Sequence, residues 1–188
     1  MAQLARPLRA DAARNRARVL EVAYETFAAE GLSVPIDEIA RRAGVGAGTV
    51  YRHFPTKEAL FQAVIEDRIR RVVDEGHAML TSVGPAEAIF AFLRSMVLHW
   101  GAIDRGLVDA LAGYGIDIAC AVPAAEDAFR GVLEELLRAG QAAGTVRPDI
   151  GVREVKAIMV GCQAMEAYNS ELAERVTDVV VDGLRATR

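Results

Sequence analysis

Lysine is nearly missing from this sequence: of the 22 basic side chains in 188 residues, only Lys57 and Lys156 are lysines. Cysteine is as scarce. Cys120 and Cys162 stand far apart in apolar surroundings with no CxxC spacing, which excludes a disulfide framework and points to packed free thiols in a reducing compartment. The histidines, His53, His77 and His99, share no metal-ligand spacing, so no zinc site is expected. No apolar run reaches the roughly eighteen residues of a membrane span. The opening MAQLARPLRADAARNRAR carries alanine and arginine where a secretory leader has an apolar core, so a cytoplasmic location is expected. Catalytic constellations are missing too. The nearest carboxylate pair, Glu134-Glu135, consists of neighbours that point in different directions on a helix, and no ligating histidine accompanies them in the sequence. Neither enzyme activity nor a cofactor is expected.

What is present is helical periodicity throughout, with no credible alternating strand and no internal repeat. The spacing predicts an all-α chain of about nine helices, over residues 12–30, 36–43, 47–54, 57–80, 85–100, 104–112, 124–142, 152–167 and 170–184. Leu20, Ala23 and Phe27 face inward on the first, and Ser170 is the expected cap of the last. Tyr114 to Pro123 reads as a loop or a partly helical connection. Two domains follow, residues 1–56 and 57–188.

The stretch from Ile36 to Lys57, IDEIARRAGVGAGTVYRHFPTK, is the most specific. Ile36, Ile39, Ala40 and Ala43 fall at i, i+3, i+4 and i+7, one apolar face of a short helix. Gly44 stands where a C-terminal cap needs positive φ. A second short helix follows, with Val50 and Phe54 turned inward. Pro55 then pushes the residue before it out of helical geometry, and Thr56 suits the N-cap of the next helix. Two short helices joined by such a turn form a helix-turn-helix, whose second helix fits the DNA major groove.

Net charge is −4 over the whole chain, which looks wrong for a DNA binder until it is divided. Residues 1–58 carry nine Lys/Arg against seven Asp/Glu, and the remainder thirteen against nineteen. The N-terminal part is therefore the positive one, and the local field decides what binds there. An acidic remainder disfavours a non-specific architectural DNA protein.

The segments Phe27-Ala28-Ala29-Glu30-Gly31, Ala43-Gly44-Val45, Gly48-Thr49-Val50-Tyr51-Arg52-His53-Phe54 and Lys57-Glu58-Ala59-Leu60 closely resemble the DNA-binding domain of TetR-type bacterial transcriptional regulators. The resemblance runs from about Arg14 to Leu60, and the C-terminal part is weakly similar to the SbtR-like group. It implies that Tyr51, His53 and Lys57 grip the phosphate backbone of a double-stranded operator. Gly46, Ala47, Gly48 and Thr49 face base edges, and Arg52 bonds guanine or phosphate. Arg14, Arg16 and Arg18 are expected near phosphates. Arg6 and Arg9 belong either to an arm along the DNA or to a disordered tail.

The same resemblance implies a homodimer, a repressor released from a palindromic operator by a small apolar ligand. Its dimer surface is expected on two stripes, Val152, Val155, Met159 and Cys162, and Leu172, Val176, Val179 and Val180. Phe92, Met96, Trp100, Tyr114, Phe129, Met159 and Met165 are candidate walls of an apolar cavity. His99, Cys120, Gln163 and Tyr168 are candidate polar handles. Each of these side chains fills an ordinary core equally well.

Overall fold

The computed structural model describes residues 5–100 and 122–187, which form eight α-helices and no β-strand. They are α1 (Ala5–Glu30), α2 (Ile36–Ala43), α3 (Ala47–His53), α4 (Lys57–Ser82), α5 (Ala88–Ser95), α6 (Pro123–Ala142), α7 (Val152–Tyr168) and α8 (Ala173–Leu184). The helix expected over 104–112 lies outside the described residues, as do Tyr114 and Cys120. The described residues divide into two compact units, 5–68 with 122, and 69–100 with 123–187. The sequence places a boundary ahead of α4, whereas this division falls within it, between Arg68 and Ile69.

In the first unit α1 buries Val19, Leu20, Ala23 and Phe27, α2 buries Ile36, Ile39, Ala40 and Ala43, and α4 contributes Leu60 and Phe61. The rings of Phe27 and Phe61 meet edge to face at 5.9 Å. Truncating a fully buried Leu20 or Ile39 to alanine removes this packing, at about 2–5 kcal/mol each.

α1 starts earlier than its apolar periodicity suggests, and its backbone takes in Arg6 and Arg9. The expected arm or tail at these two positions is therefore helix. Alanine, leucine and arginine are strong helix formers, and Pro7 falls in the first turn, where no intrahelical N–H is required.

The second unit packs Val72 of α4 with Phe92 and Leu93 of α5, Leu133 and Leu136 of α6, Val155 of α7, and Val181 and Leu184 of α8. α5 is shorter than the expected 85–100. It begins at Ala88 after a turn and passes into a π-helical turn, Met96–Trp100. The side-chain amide of Gln163 donates to the Met96 carbonyl at 3.1 Å. The Trp100 indole N–H donates to Glu75 Oε2 at 2.8 Å, and Ser95 Oγ–H donates to the other oxygen of the same carboxylate.

The turn before α7 is tied at several points. Thr145 Oγ1 donates to the Ala86 carbonyl at 2.7 Å, Arg147 grips Asp149 through two bonds of 2.7 Å, and Val146 is buried against Gly140. Arg147 N–H donates to the Leu184 carbonyl at 3.1 Å. Arg185 donates to both oxygens of Glu87 at 3.0 and 2.9 Å and lies 4.2 Å above the Phe90 ring. Asn169, not the expected Ser170, caps the final helical segment: its Oδ1 accepts from Glu171 N–H at 3.1 Å, opening a 3₁₀ turn, Ser170–Leu172, ahead of α8. Asparagine and serine are both good caps, and the chain closes one residue earlier than the serine suggests.

Candidate nucleic-acid interface

The sequence IDEIARRA folds as α2 because its apolar residues share one face and its acidic residues, Asp37 and Glu38, stand in the first turn with Arg41 and Arg42 in the last, complementing the helix dipole. Gly44 ends the helix at φ 65°, ψ 29°, and Val45 N–H reaches back to the Ala40 carbonyl at 3.0 Å. This left-handed step costs glycine little and other residues more. It turns the chain through two residues into α3.

α3 has two unlike faces. Val50 and the following Phe54 are buried, at 1% and 3% exposure, and fix the helix against α1 and α2. Gly46, Gly48, Tyr51, Arg52 and His53 are exposed, and Ala47 and Thr49 half-exposed. A Cβ added at Gly46 or Gly48 would meet no heavy atom within 4 Å. The exposed face thus offers two bare backbone stretches, a hydroxyl, a phenol, a guanidinium and an imidazole in just over two turns of helix.

Thr56 Oγ1 accepts from Ala59 N–H at 3.1 Å and so caps α4, as its sequence position suggests. The Glu58 carboxyl is held below its ordinary range, first by its own backbone N–H and then by the Thr56 hydroxyl. Lys57, first residue of α4, is half-buried, and desolvation pushes its ammonium pKa down while Glu58 opposes this. A cation at a helix N-terminus also runs against the dipole. An external anion at Lys57 would relieve both penalties.

Two basic residues beside this face are already engaged. Arg41 donates to Glu38 at 2.7 and 2.8 Å. Arg42 donates to Glu38 at 2.7 Å and bonds Glu30 at the end of α1. These guanidiniums lower the Glu38 carboxyl pKa to about 2. Arg14 pairs with Asp11 one turn earlier on α1, and Arg18 is exposed. Sequence alone groups Arg16 with them, yet its guanidinium carbon lies 5.5 Å above the Phe54 ring. No sequence periodicity signals that contact, because it joins residues 38 positions apart in the chain.

In the second unit the predicted stripes divide differently. Val155, Met159 and Cys162 are buried within the chain's own core, and burial raises the Cys162 thiol pKa. They are thereby withdrawn from a surface offered to a second copy. Val152, Val176 and Val180 are half-buried, while Leu172 and Val179 are exposed. On α7 the outward face is instead Ala157, Val160, Gly161 and Ala164, at i, i+3, i+4 and i+7. Among the candidate pocket residues, Phe92, Met96 and Met159 are core, Phe129 and Trp100 pack at its edge, and His99 is exposed. Met165 is half-buried, and Tyr168 is almost fully exposed at the end of α7.

Among the described residues no helix is long and apolar enough to cross a membrane. The turn geometry, the buried Val50–Phe54 side and the open polar side of α3 define a helix-turn-helix protein of the DNA-reading class.

Residues 19–64 match the family model described as bacterial regulatory proteins, tetR family. Residues 84–186 match that of the C-terminal domain of SbtR-like transcriptional regulators. A TetR transcription regulatory protein from Mycobacterium vanbaalenii is 62% identical, with a TM-score of 0.80 over 96% of this chain and 100% of that one. A TetR transcriptional regulator from Streptomyces coelicolor is 34% identical, with a TM-score of 0.76 over 92% of this chain and 99% of its own. The HTH-type transcriptional regulator SrpR of Pseudomonas putida is 44% identical over 66 residues, which cover 35% of this chain and 31% of SrpR. The chain belongs to the TetR family of helix-turn-helix transcriptional regulators.

Proposed function

We propose that the chain is a homodimeric repressor in the cytoplasm that holds a palindromic operator and releases it when a small apolar molecule binds the second unit. The observation that carries the DNA part of this reading is the division of α3: a buried side that fixes it, and a side of Gly46, Ala47, Gly48, Thr49, Tyr51, Arg52 and His53 left to the solvent. Tyr51, His53 and Lys57 hold phosphates and so set the register, while Thr49 and the bare backbone at Gly46 and Gly48 approach base edges. Phosphate contacts supply affinity without sequence information, and base contacts choose the site.

One head reads only a few base pairs, so useful specificity needs two, about 34–36 Å apart along the duplex. The support for dimerisation is the outward apolar row on α7, Ala157, Val160, Gly161 and Ala164, together with exposed Leu172 and Val179. An outward apolar row on α7 beside exposed Val179 on α8 suits a four-helix bundle between copies. Replacing Leu172 and Val179 by glutamate is expected to give monomers in sedimentation with poor operator affinity. An intact dimer would move the interface elsewhere. Ligand release would need a coupling of about 1–3 kcal/mol, enough to loosen the operator roughly 5- to 150-fold. α4 is the natural carrier, since residues 57–68 belong to one unit and 69–82 to the other.

Selection of bound duplexes from a random pool at about physiological salt tests this reading. An inverted repeat is the expected product and would serve as the probe for ligand screening. Recovery of no preferred sequence would remove the support for a specific reader.

A further inference from the structure

We propose that Arg16 of α1 is a DNA-contacting residue that works together with α3, and that the Phe54 ring is the platform that positions it. The proposal rests on the reading of the first unit as operator-binding and adds a contact that neither the α3 motif nor Lys57 supplies.

Three arginines open α1, and the structure separates them. Arg14 is paired with Asp11 and Arg18 is simply exposed, whereas Arg16 lies with its guanidinium carbon 5.5 Å over the centre of Phe54. Phe54 closes α3: its N–H donates to the Val50 carbonyl at 2.8 Å, and its ring is buried but for 3%. The ring is fixed with the helix, and the Arg16 guanidinium lies over it within cation–π distance. Arg16 also lines the same small crevice as half-exposed Thr49 and exposed His53, one turn apart on α3.

The chemistry of arginine makes this arrangement useful. A guanidinium stacks through its flat face and keeps its five N–H donors around the edge, free to form a bidentate bond to a phosphate. The cation–π contact with Phe54 uses no N–H donor. Side-chain freedom is lost on folding rather than on binding, which strengthens the contact that DNA then makes. Lysine would keep the charge without the flat face. Charge count alone ranks Arg14, Arg16 and Arg18 equally; the ring beneath Arg16 distinguishes it.

The test compares wild type, Arg16→Ala, Arg16→Lys and, as a change at a neighbouring α1 arginine exposed to solvent, Arg18→Ala, on one duplex recovered by the selection. Affinity is measured from low to physiological salt and melting temperature for each protein alone. Arg16→Ala is expected to lose about tenfold in affinity and to flatten the log-log salt slope by about one. Its melting temperature should stay close to that of wild type, because the side chain is exposed. Arg16→Lys should retain the slope and lose affinity by a smaller factor, while Arg18→Ala should lose less than Arg16→Ala. Wild-type affinity and slope in Arg16→Ala would overturn the proposal. So would an affinity loss that comes with a lowered melting temperature and an unchanged slope, since the stack would then serve only the fold. Should wild type itself recover no duplex, the operator-binding reading fails and the proposal falls with it.

Discussion

At Gly46 and Gly48 an added Cβ would meet no heavy atom of the chain within 4 Å, whereas at Gly76 it would lie 2.7 Å from Val132 Cγ2 and at Gly140 2.5 Å from Val146 Cγ2. Gly46 is the N-cap of α3 and Gly48 lies within it; the second pair lies against packed side chains of the other unit. At Gly76 and Gly140 glycine is required by the chain itself, which has filled the space a side chain would need. In the head, nothing in the folded chain requires it at these two positions, and the vacant surface is available to something outside. Gly76 and Gly140 thus mark close packing, while Gly46 and Gly48 leave open surface on and beside α3.

That contrast can be broken most sharply at Gly76. Gly76→Ala forces a methyl toward Val132 and Phe92, and overpacking of this kind costs about 1–3 kcal/mol; denaturant unfolding of the variant should show it, and wild-type stability would mean that α4 and α6 are free to part. Gly48→Ala is expected to act the opposite way. Its effect on stability should be neutral or favourable, by up to about 1 kcal/mol, since alanine is the better helix former. Operator affinity should nevertheless fall by roughly tenfold, the size of one lost contact at about 1–3 kcal/mol. Titration of labelled operator and thermal melting, done side by side, would separate the two. Lys57→Ala should weaken binding to all sequences alike and flatten the salt dependence by about one ion; unchanged affinity would remove Lys57 from the contact surface.

The smallest effect concerns acid. Glu38 in the head and Asp149 in the body each have a carboxyl pKa lowered to about 2, from 4.5 and 3.8, by hydrogen bonds from Arg41 and Arg42 and from Arg147 respectively. A depressed folded pKa contributes stability above the unfolded value and loses it as pH falls through the folded one. The head's support should therefore begin to fade near pH 4.5 and the body's nearer 3.8, both being gone at about 2. Both carboxylates face solvent, so the changes should be modest and shrink further with added salt. Glu38→Gln should erase the earlier component in an acid titration followed by circular dichroism.

Much of the head was legible because its determinants are local. The Ile36–Ala43 face, the left-handed Gly44, the inward Val50 and Phe54 and the Thr56 cap each follow from a few neighbouring residues. The body was legible as helices but less so as faces. Val155, Met159 and Cys162 do form an apolar stripe, yet a stripe at helical spacing reads the same whether it meets its own chain or another. Only the packed structure shows that they turn inward, leaving Ala157, Val160, Gly161 and Ala164 outside. The π-helical turn at Met96–Trp100 escaped for a related reason: it holds an extra residue per turn and so shifts the very period used to find helices. Arg16 over Phe54 escaped because sequence spacing carries no information about stacking between distant segments.

The two faces of α3 also have a consequence for altering this protein. Within α3 and its two capping residues, the side chains that hold the helix in place are Val50 and Phe54, whereas Gly46, Gly48, Tyr51, Arg52 and His53 face outward. The residues that hold the helix and those left to the solvent are thus separate letters of one short word. A library randomised at the outward positions, with Val50, Phe54 and the Gly44 turn retained, would explore new operator preferences while the scaffold beneath stayed constant.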